Sequence, residues 1–82
     1  MPKMQLFAEQ DLAALAKRFR VAAGKNRSEA ARELGVARPS LIHAEDHPEK
    51  TFVKLRRRII EKYSDYEVVG PLYLLRRRRT SR

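Results

Sequence analysis

Apolar residues recur every three or four positions along most of the chain, with charged residues between them. This spacing is typical of amphipathic helices that bury one face. In the first such stretch Leu12, Leu15 and Phe19 share one face, and Lys17 and Arg18 lie on the other side. The pattern predicts four helices, at positions 9–23, 27–34, 38–46 and 51–63.

Residues with defined effects at helix ends mark the limits of these segments. Gly24 and Gly35 follow the first two helices, and glycine readily adopts the left-handed conformation that ends a helix. Asn26 precedes the second helix and Glu29 follows three positions later, which predicts a capping box. Thr51 is the predicted N-cap of the fourth helix, because its hydroxyl can accept a hydrogen bond from a free backbone N–H group.

One residue of the fourth helix does not fit its apolar face. Phe52, Leu55 and Ile59 lie on that face, and Arg56 falls within the same arc. Long cationic side chains can lie along an apolar surface while the charged group stays in water. We therefore expect Arg56 either to reach solvent in this way or to indicate that the helix is rotated by part of a turn.

The pattern changes after Asp65, where apolar, aromatic and β-branched residues follow one another with a period close to two. This pattern predicts strand. Gly70 and Pro71 divide the stretch into 66–69 and 72–75. The segment is therefore either a hairpin or one kinked strand at a sheet edge.

Either form leaves a strand edge without a partner, and a two-stranded ribbon alone is only marginally stable. Antiparallel addition of the same strand from a second copy would bury the apolar side chains, so the sequence predicts a homodimer. The alternative is a monomer in which the segment folds back on its own helices. The predicted interface residues are Val68, Val69, Leu72, Tyr73, Leu74 and Leu75.

Length and composition restrict the class of protein. A chain of 82 residues forms one small domain with a modest core, which disfavours an elaborate enzyme. It has no cysteine and no apolar run long enough to cross a membrane, so we expect a cytoplasmic protein without membrane association or cofactor. His43 and His47 have a spacing that can share a metal ion, but no third ligand accompanies them, and neither a metal site nor a catalytic residue is predicted.

Basic residues exceed acidic ones, and the formal net charge is +9. Positions 1–50 contribute +2 and positions 51–82 contribute +7, largely through the arginine runs 56–58 and 76–79. Guanidinium groups are permanent cations whose geometry matches phosphate oxygens. A polyanion is therefore the expected partner, and charge alone leaves both nucleic acid and acidic lipid headgroups open. A membrane surface is disfavoured because the apolar face of the basic fourth helix is committed to the domain.

The residues from 26 to 45 have the spacing of a helix-turn-helix. Ala31 is small where the two helices would cross, Gly35 turns the chain, and Val36 and Leu41 fill the angle between them. The pattern A-x-x-L-G-V-x-x-x-x-L closely resembles the Cro/repressor type of helix-turn-helix, the family of phage repressors, Cro proteins and many small bacterial regulators. The resemblance covers roughly positions 12–63. It implies a mainly α, four-to-five-helix DNA-binding domain with a C-terminal β-strand or hairpin.

The resemblance also implies roles for individual residues. It matches Arg20 and Glu45 to a structural ion pair, and it places DNA contacts at the start of the second helix and on one side of the third. The matching residues are Arg27, Arg38, Pro39 and His43, with Ser40 close by. The chain departs from the family pattern at Lys25 and Arg27, and at Ala37, where a Ser or Thr cap is common.

The candidate DNA-contacting residues fall into two groups, those that read bases and those that bind the phosphate backbone of DNA. An arginine can donate to both O6 and N7 of guanine, so Arg38 is the strongest candidate for base reading, with a phosphate contact as the alternative. The predicted base-reading set is Arg38, Pro39, Ser40 and His43. The predicted phosphate contacts are Lys25, Arg27, Arg32, Arg57, Arg58, Arg76, Arg77, Arg78 and Arg79.

The sequence therefore predicts a regulator of transcription that binds double-stranded DNA sequence-specifically, most simply a repressor that binds an inverted-repeat operator as a dimer. One alternative is the antitoxin of a toxin–antitoxin pair, which would use the same helix-turn-helix for autoregulation and bind a toxin as partner. RNA binding is another. The predicted organisation is a helical DNA-binding domain at 1–64, a β dimerisation segment at 65–75 and a basic flexible tail at 76–82.

Overall fold

The computed structural model describes residues 6, 7, 9–69 and 73–77, and within them the chain is mainly helical with three short strands. The elements in chain order are β1 (Leu6–Phe7), α1 (Glu9–Ala22), α2 (Arg27–Leu34), α3 (Arg38–Asp46), α4 (Val53–Tyr63), β2 (Tyr66–Val69) and β3 (Tyr73–Arg77). No helix in this part of the chain has both the length and the apolar character needed to span a bilayer. The four predicted helices are confirmed, with differences of one or two residues at their ends.

The second helix begins and ends as its sequence predicts. The Asn26 side chain accepts a hydrogen bond from the Glu29 N–H group at 2.8 Å, and the Glu29 side chain accepts one from the Asn26 N–H group at 3.0 Å. Gly35 follows the helix with a φ of 71°, in the left-handed region that favours glycine. Both ends depend on contacts within a few residues.

The predicted start of the fourth helix is wrong. Phe52 is the N-cap of α4, and it provides no side-chain capping hydrogen bond. Its ring instead packs against the hydrophobic core, while Thr51 is exposed. The helix itself begins at Val53.

One core joins all four helices to the sheet. Helix α1 packs against α3 and α4, and β2 packs against α4. The buried residues of this core are Leu12, Ala16, Ala30, Ala31, Leu34, Leu41, Ala44, Leu55, Ile59, Ile60, Val68 and Leu75. The small residues of α2 allow α3 to cross it closely, since alanine adds little bulk at a helix contact.

The strands form a sheet in the order β1-β3-β2. β2 and β3 are antiparallel, as in the hairpin alternative, with Val68 opposite Leu75. β1 pairs with the other side of β3, where Leu6 is opposite Leu74. Because β3 continues to Arg77, the first two residues of the tail predicted at 76–82 belong to the sheet.

Two residues assigned to a dimer interface lie in the core of the single chain. Val68 is 3% exposed and Leu75 is 8% exposed. The outer edge of β2 is also occupied at Val68, whose N–H group donates to Glu61 Oε2 at 3.0 Å and whose carbonyl accepts from Arg57 Nη2 at 3.2 Å. Within the single chain the edge of β2 is therefore not open at Val68, and the segment packs against its own helices through Val68 and Leu75. The homodimer stays a prediction. Leu72 lies outside the described residues.

Candidate functional site

Helices α2 and α3 are joined by a short turn that starts at Gly35. The Val36 N–H group donates to the Ala31 carbonyl at 3.0 Å, which closes the end of α2. Ala37 is the N-cap of α3 and makes no side-chain capping hydrogen bond. Pro39 lies in the first turn of α3, where its missing N–H group costs no helical hydrogen bond.

The beginning of α3 is open to solvent, whereas its inner face is buried. Arg38 and Pro39 are exposed, and Ser40 and His43 are half-buried. No hydrogen bond or ion pair restrains the Arg38 side chain within the described part of the chain. The buried residues of α3 are Leu41, Ala44 and Glu45. The predicted base-reading residues therefore lie within the first six positions of α3, and Arg38 has no charged partner among the described residues.

His43 lies at the edge of this surface and packs against the loop that follows α3. Its ring centroid is 5.1 Å from that of His47, with the rings nearly perpendicular, and 6.3 Å from that of Phe52. His47 Nδ1 lies 3.0 Å from Glu49 Oε2. No group of three or more metal-ligating residues occurs among the described residues.

A network of charged residues holds the far end of α3. Arg20 Nε donates to Glu45 Oε2 at 2.6 Å and Arg20 Nη2 donates to Glu45 Oε1 at 2.9 Å, so the ion pair implied by the resemblance is present. Both residues are 5% exposed. Arg27 joins the network, with its Nε 3.3 Å from Glu45 Oε1 and its Nη2 2.7 Å from Asp46 Oδ1. Lys17 Nζ lies 3.7 Å from the same Asp46 oxygen.

The pKa of Asp46 reflects this network. Desolvation of the carboxylate raises the pKa of Asp46, but the hydrogen bond and charge of Arg27, together with Lys17, outweigh it and lower the pKa below its ordinary value. Asp46 is therefore held as a carboxylate near neutral pH.

A second polar cluster links α2 to α4. Glu33 accepts from Lys25 Nζ at 2.8 Å and from Tyr63 Oη at 2.6 Å. The Lys25 and Tyr63 hydrogen bonds lower the pKa of Glu33, and the Glu33 hydrogen bond and charge raise the pKa of Lys25. Burial and the Glu33 hydrogen bond raise the pKa of the Tyr63 hydroxyl.

The predicted phosphate-binding residues differ in how much of their charge is neutralised. Lys25 and Arg27 are paired with carboxylates, as described above. Arg32 is exposed and has no ion pair with any carboxylate of the described residues. Arg57 and Arg58 donate to backbone carbonyls and keep their full charge at the surface. Arg76 and Arg77 belong to β3, and Arg78 and Arg79 lie outside the described residues.

Three consecutive arginines of α4 bind three different elements, a role that the pattern of residues did not predict. Arg56 is fully buried, and it donates from Nε to the Ala44 carbonyl and from Nη2 to the His47 carbonyl, each at 2.8 Å. Both expectations for Arg56 are therefore wrong, because it caps the C-terminal end of α3 from inside the protein. Arg57 reaches β2, and Arg58 donates to the Leu34 carbonyl at the end of α2. The position of Arg56 within an apolar arc was the only sign of this in the sequence.

Comparison with protein families, with curated proteins and with solved structures finds no match to this chain.

Proposed function

We propose that this protein binds double-stranded DNA sequence-specifically and regulates transcription, with the first half of α3 entering the major groove. The observation that carries the proposal is a helix with an exposed beginning and a fixed end. Arg38 and Pro39 are exposed, whereas Glu45 is buried and bonded twice to Arg20. Base recognition needs both properties, because side chains can read bases only from a helix held at a constant angle. This arrangement supports the resemblance to the Cro/repressor family.

Arg38 is the residue to which we assign direct base reading. It is the first residue of α3, and its guanidinium is free of intramolecular carboxylates in the described part of the chain. Two parallel N–H donors match O6 and N7 of guanine, a contact worth about 1–3 kcal/mol of discrimination. Ser40 and His43 lie further along the helix and are half-buried, so their contacts are at the edge of the groove. Pro39 has no side-chain donor and contributes an apolar contact.

The sequence-independent part of the affinity comes from cations on the flanking elements. Arg32 on α2 and Arg57 and Arg58 on α4 are exposed, and none of the three forms an ion pair with a carboxylate of the described residues. A guanidinium that donates to a carbonyl retains further N–H donors, so Arg57 and Arg58 can bind phosphate while their side chains stay positioned. Each phosphate contact makes the slope of log affinity against log salt more negative by about 0.9.

A two-fold dimer on an inverted repeat remains part of the proposal. It would place two copies of α3 about 34 Å apart, one helical turn of DNA. Because Val68 and Leu75 are buried within the single chain, the contact between subunits would have to use other residues.

Selection of bound duplexes from a random pool tests this function. The wild-type chain, Arg38→Ala and Arg18→Ala would be compared, since Arg18 is an exposed arginine of α1 and its loss changes the net charge equally. We expect a defined wild-type motif, loss of preference at one base pair per half-site in Arg38→Ala, and the wild-type motif in Arg18→Ala. Absence of any enriched motif, or equal binding of duplex RNA and duplex DNA, would contradict the proposal.

A further inference from the structure

We propose that Asp46 acts as an intramolecular competitor of DNA phosphate by holding Arg27 and Lys17, and so limits sequence-independent binding. The inference rests on the proposed DNA-binding function and adds a residue that sets its strength. It concerns an acidic residue on a surface otherwise suited to a polyanion.

The position of Asp46 on α3 motivates the proposal. Asp46 follows Pro39 by seven residues, or about two helical turns, so both lie on the same outer side of α3. Asp46 is exposed, in contrast to its neighbour Glu45. A carboxylate on this side repels an approaching phosphate backbone. It also lies in the last turn of a helix, where a negative charge interacts unfavourably with the helix dipole. Helix stability therefore does not explain its presence.

The contacts of Asp46 show which cations it holds. Its Oδ1 atom lies 2.7 Å from Arg27 Nη2 and 3.7 Å from Lys17 Nζ. The exposed fractions of these side chains are 36% for Asp46, 24% for Arg27 and 50% for Lys17, so the group can be reached from solvent. A phosphate oxygen that approached here would have to replace the Asp46 carboxylate as the partner of Arg27.

Arg27 would stay in place if Asp46 lost its charge. Its Nε atom lies 3.3 Å from Glu45 Oε1, and the Glu45 side chain is fully buried and fixed by Arg20. Nη2 of Arg27, now bonded to Asp46, would then be available to a phosphate in nearly its present position. The gain requires no rearrangement of the fold, because the buried pair is untouched.

The test compares Asp46→Asn with Asp65→Asn. Asp65 is an exposed residue that follows the C-terminal end of α4 and does not belong to α3. Its substitution changes the net charge by the same amount. Affinity for a duplex of random sequence would be measured as a function of salt concentration. We expect Asp46→Asn to bind about three- to tenfold more tightly than Asp65→Asn at about 0.1 M salt, with a slope more negative by about 1 per bound subunit.

A second comparison assigns the effect to Arg27. In the Arg27→Ala background, adding Asp46→Asn should give a smaller gain, with only the contribution of Lys17 remaining. Circular dichroism and thermal unfolding would verify that each variant is folded. Asp46→Asn should be folded, because the substitution removes only the negative charge of a surface residue and leaves the buried Arg20–Glu45 pair in place.

The outcomes separate this inference from the function on which it rests. If the wild-type chain binds duplex DNA but Asp46→Asn behaves like Asp65→Asn, the competitor role is wrong and the function stands. The role is also wrong if the gain is unchanged in the Arg27→Ala background. If the wild-type chain shows no salt-dependent binding to duplex DNA, the proposed function fails and this inference fails with it.

Discussion

Glu45 is a buried carboxylate whose two oxygens accept hydrogen bonds from two guanidinium groups. Arg20 binds both oxygens and Arg27 approaches one of them. Arg20 also donates from Nη1 to the Lys25 carbonyl at 2.6 Å, so one side chain links α1, the α1–α2 connection and α3. A buried charge is tolerated only when such partners are present. The Arg20–Glu45 pair therefore holds α3 against α1.

Replacing Glu45 by Gln should lower the free energy of unfolding by about 3–5 kcal/mol, because Arg20 would remain buried without its counter-charge. Urea unfolding followed by circular dichroism measures the change. Asp65→Asn, at an exposed position, serves as control and should shift the midpoint little. An unchanged midpoint for Glu45→Gln would show that the pair contributes little to stability.

At the scale of elements, α4 supports its neighbours through successive arginines. Residues that follow one another on a helix point about 100° apart, so three in a row can reach three different elements. Arg56 does so from the interior and satisfies two carbonyls at the end of α3, where a helix leaves its last carbonyls without intrahelical donors. Arg58 binds the corresponding end of α2. The two helices of the candidate interface are thus both capped by α4.

We expect Arg56→Met to lower the free energy of unfolding by about 1–3 kcal/mol, because the buried Ala44 carbonyl and the partly buried His47 carbonyl lose their donor. Amide hydrogen exchange should become faster in the last turn of α3 and in residues 47–50. Arg57→Met is the matched control, since Arg57 is exposed and makes one bond of 3.2 Å to β2. Equal effects of the two variants would contradict a special role for Arg56.

The C-terminal strands are part of the same core rather than a separate module. Val68 lies opposite Leu75, both are buried against the helices, and α4 occupies the edge of β2 at Val68. A segment that looked suited to a partner chain is therefore used to complete the fold of one chain.

The variant Val68→Asp distinguishes these two uses of the strand. An unpaired carboxylate in the core would cost about 5 kcal/mol, which is close to the whole free energy of unfolding of a small domain. We therefore expect the variant to be unfolded. Circular dichroism and sedimentation would show loss of helix and of cooperative unfolding. A folded Val68→Asp monomer from a dimeric wild-type protein would instead assign Val68 to a subunit interface.

At the scale of the whole molecule, stability depends on carboxylates that tie the helices together. The pKa of Glu33 lies below its ordinary value of 4.5 and that of Asp46 lies below 3.8. At pH values near these pKa values, the folded state therefore binds fewer protons than the unfolded chain. The stabilisation is complete above these ordinary values and is lost as the pH falls through the lower pKa values of the folded state.

We expect the difference in unfolding free energy between the wild-type chain and Glu33→Gln to be largest near neutral pH and to shrink below pH 4.5. The reason is that protonation of Glu33 removes the same charge as the substitution. Urea unfolding of both chains at several pH values between neutral and about pH 3 measures this difference in unfolding free energy. A difference that is constant across this range would mean that Glu33 has no lowered pKa in the folded protein.

The sequence alone determined the features that depend on near neighbours in the chain. Periodicity located the four helices, and the Asn26–Glu29 capping box and the left-handed Gly35 followed from residues within one turn. The strand pattern after Asp65 was equally local. The exposed beginning of α3 could also be expected, because its apolar positions lie on the opposite side.

The partners of the long side chains, in contrast, depend on the tertiary fold. Arg56 binds carbonyls 9 and 12 residues away, Arg58 binds one 24 residues away, and Arg27 binds a carboxylate 19 residues away. The sequence sets Arg56 apart by its place in an apolar arc, but it names no partner for any of these arginines. Val68 is, from sequence, equally suited to a core or to an interface. The choice among their partners depends on which elements folding brings together, since a hydrogen bond or an apolar contact is set by distance in space rather than by separation along the chain.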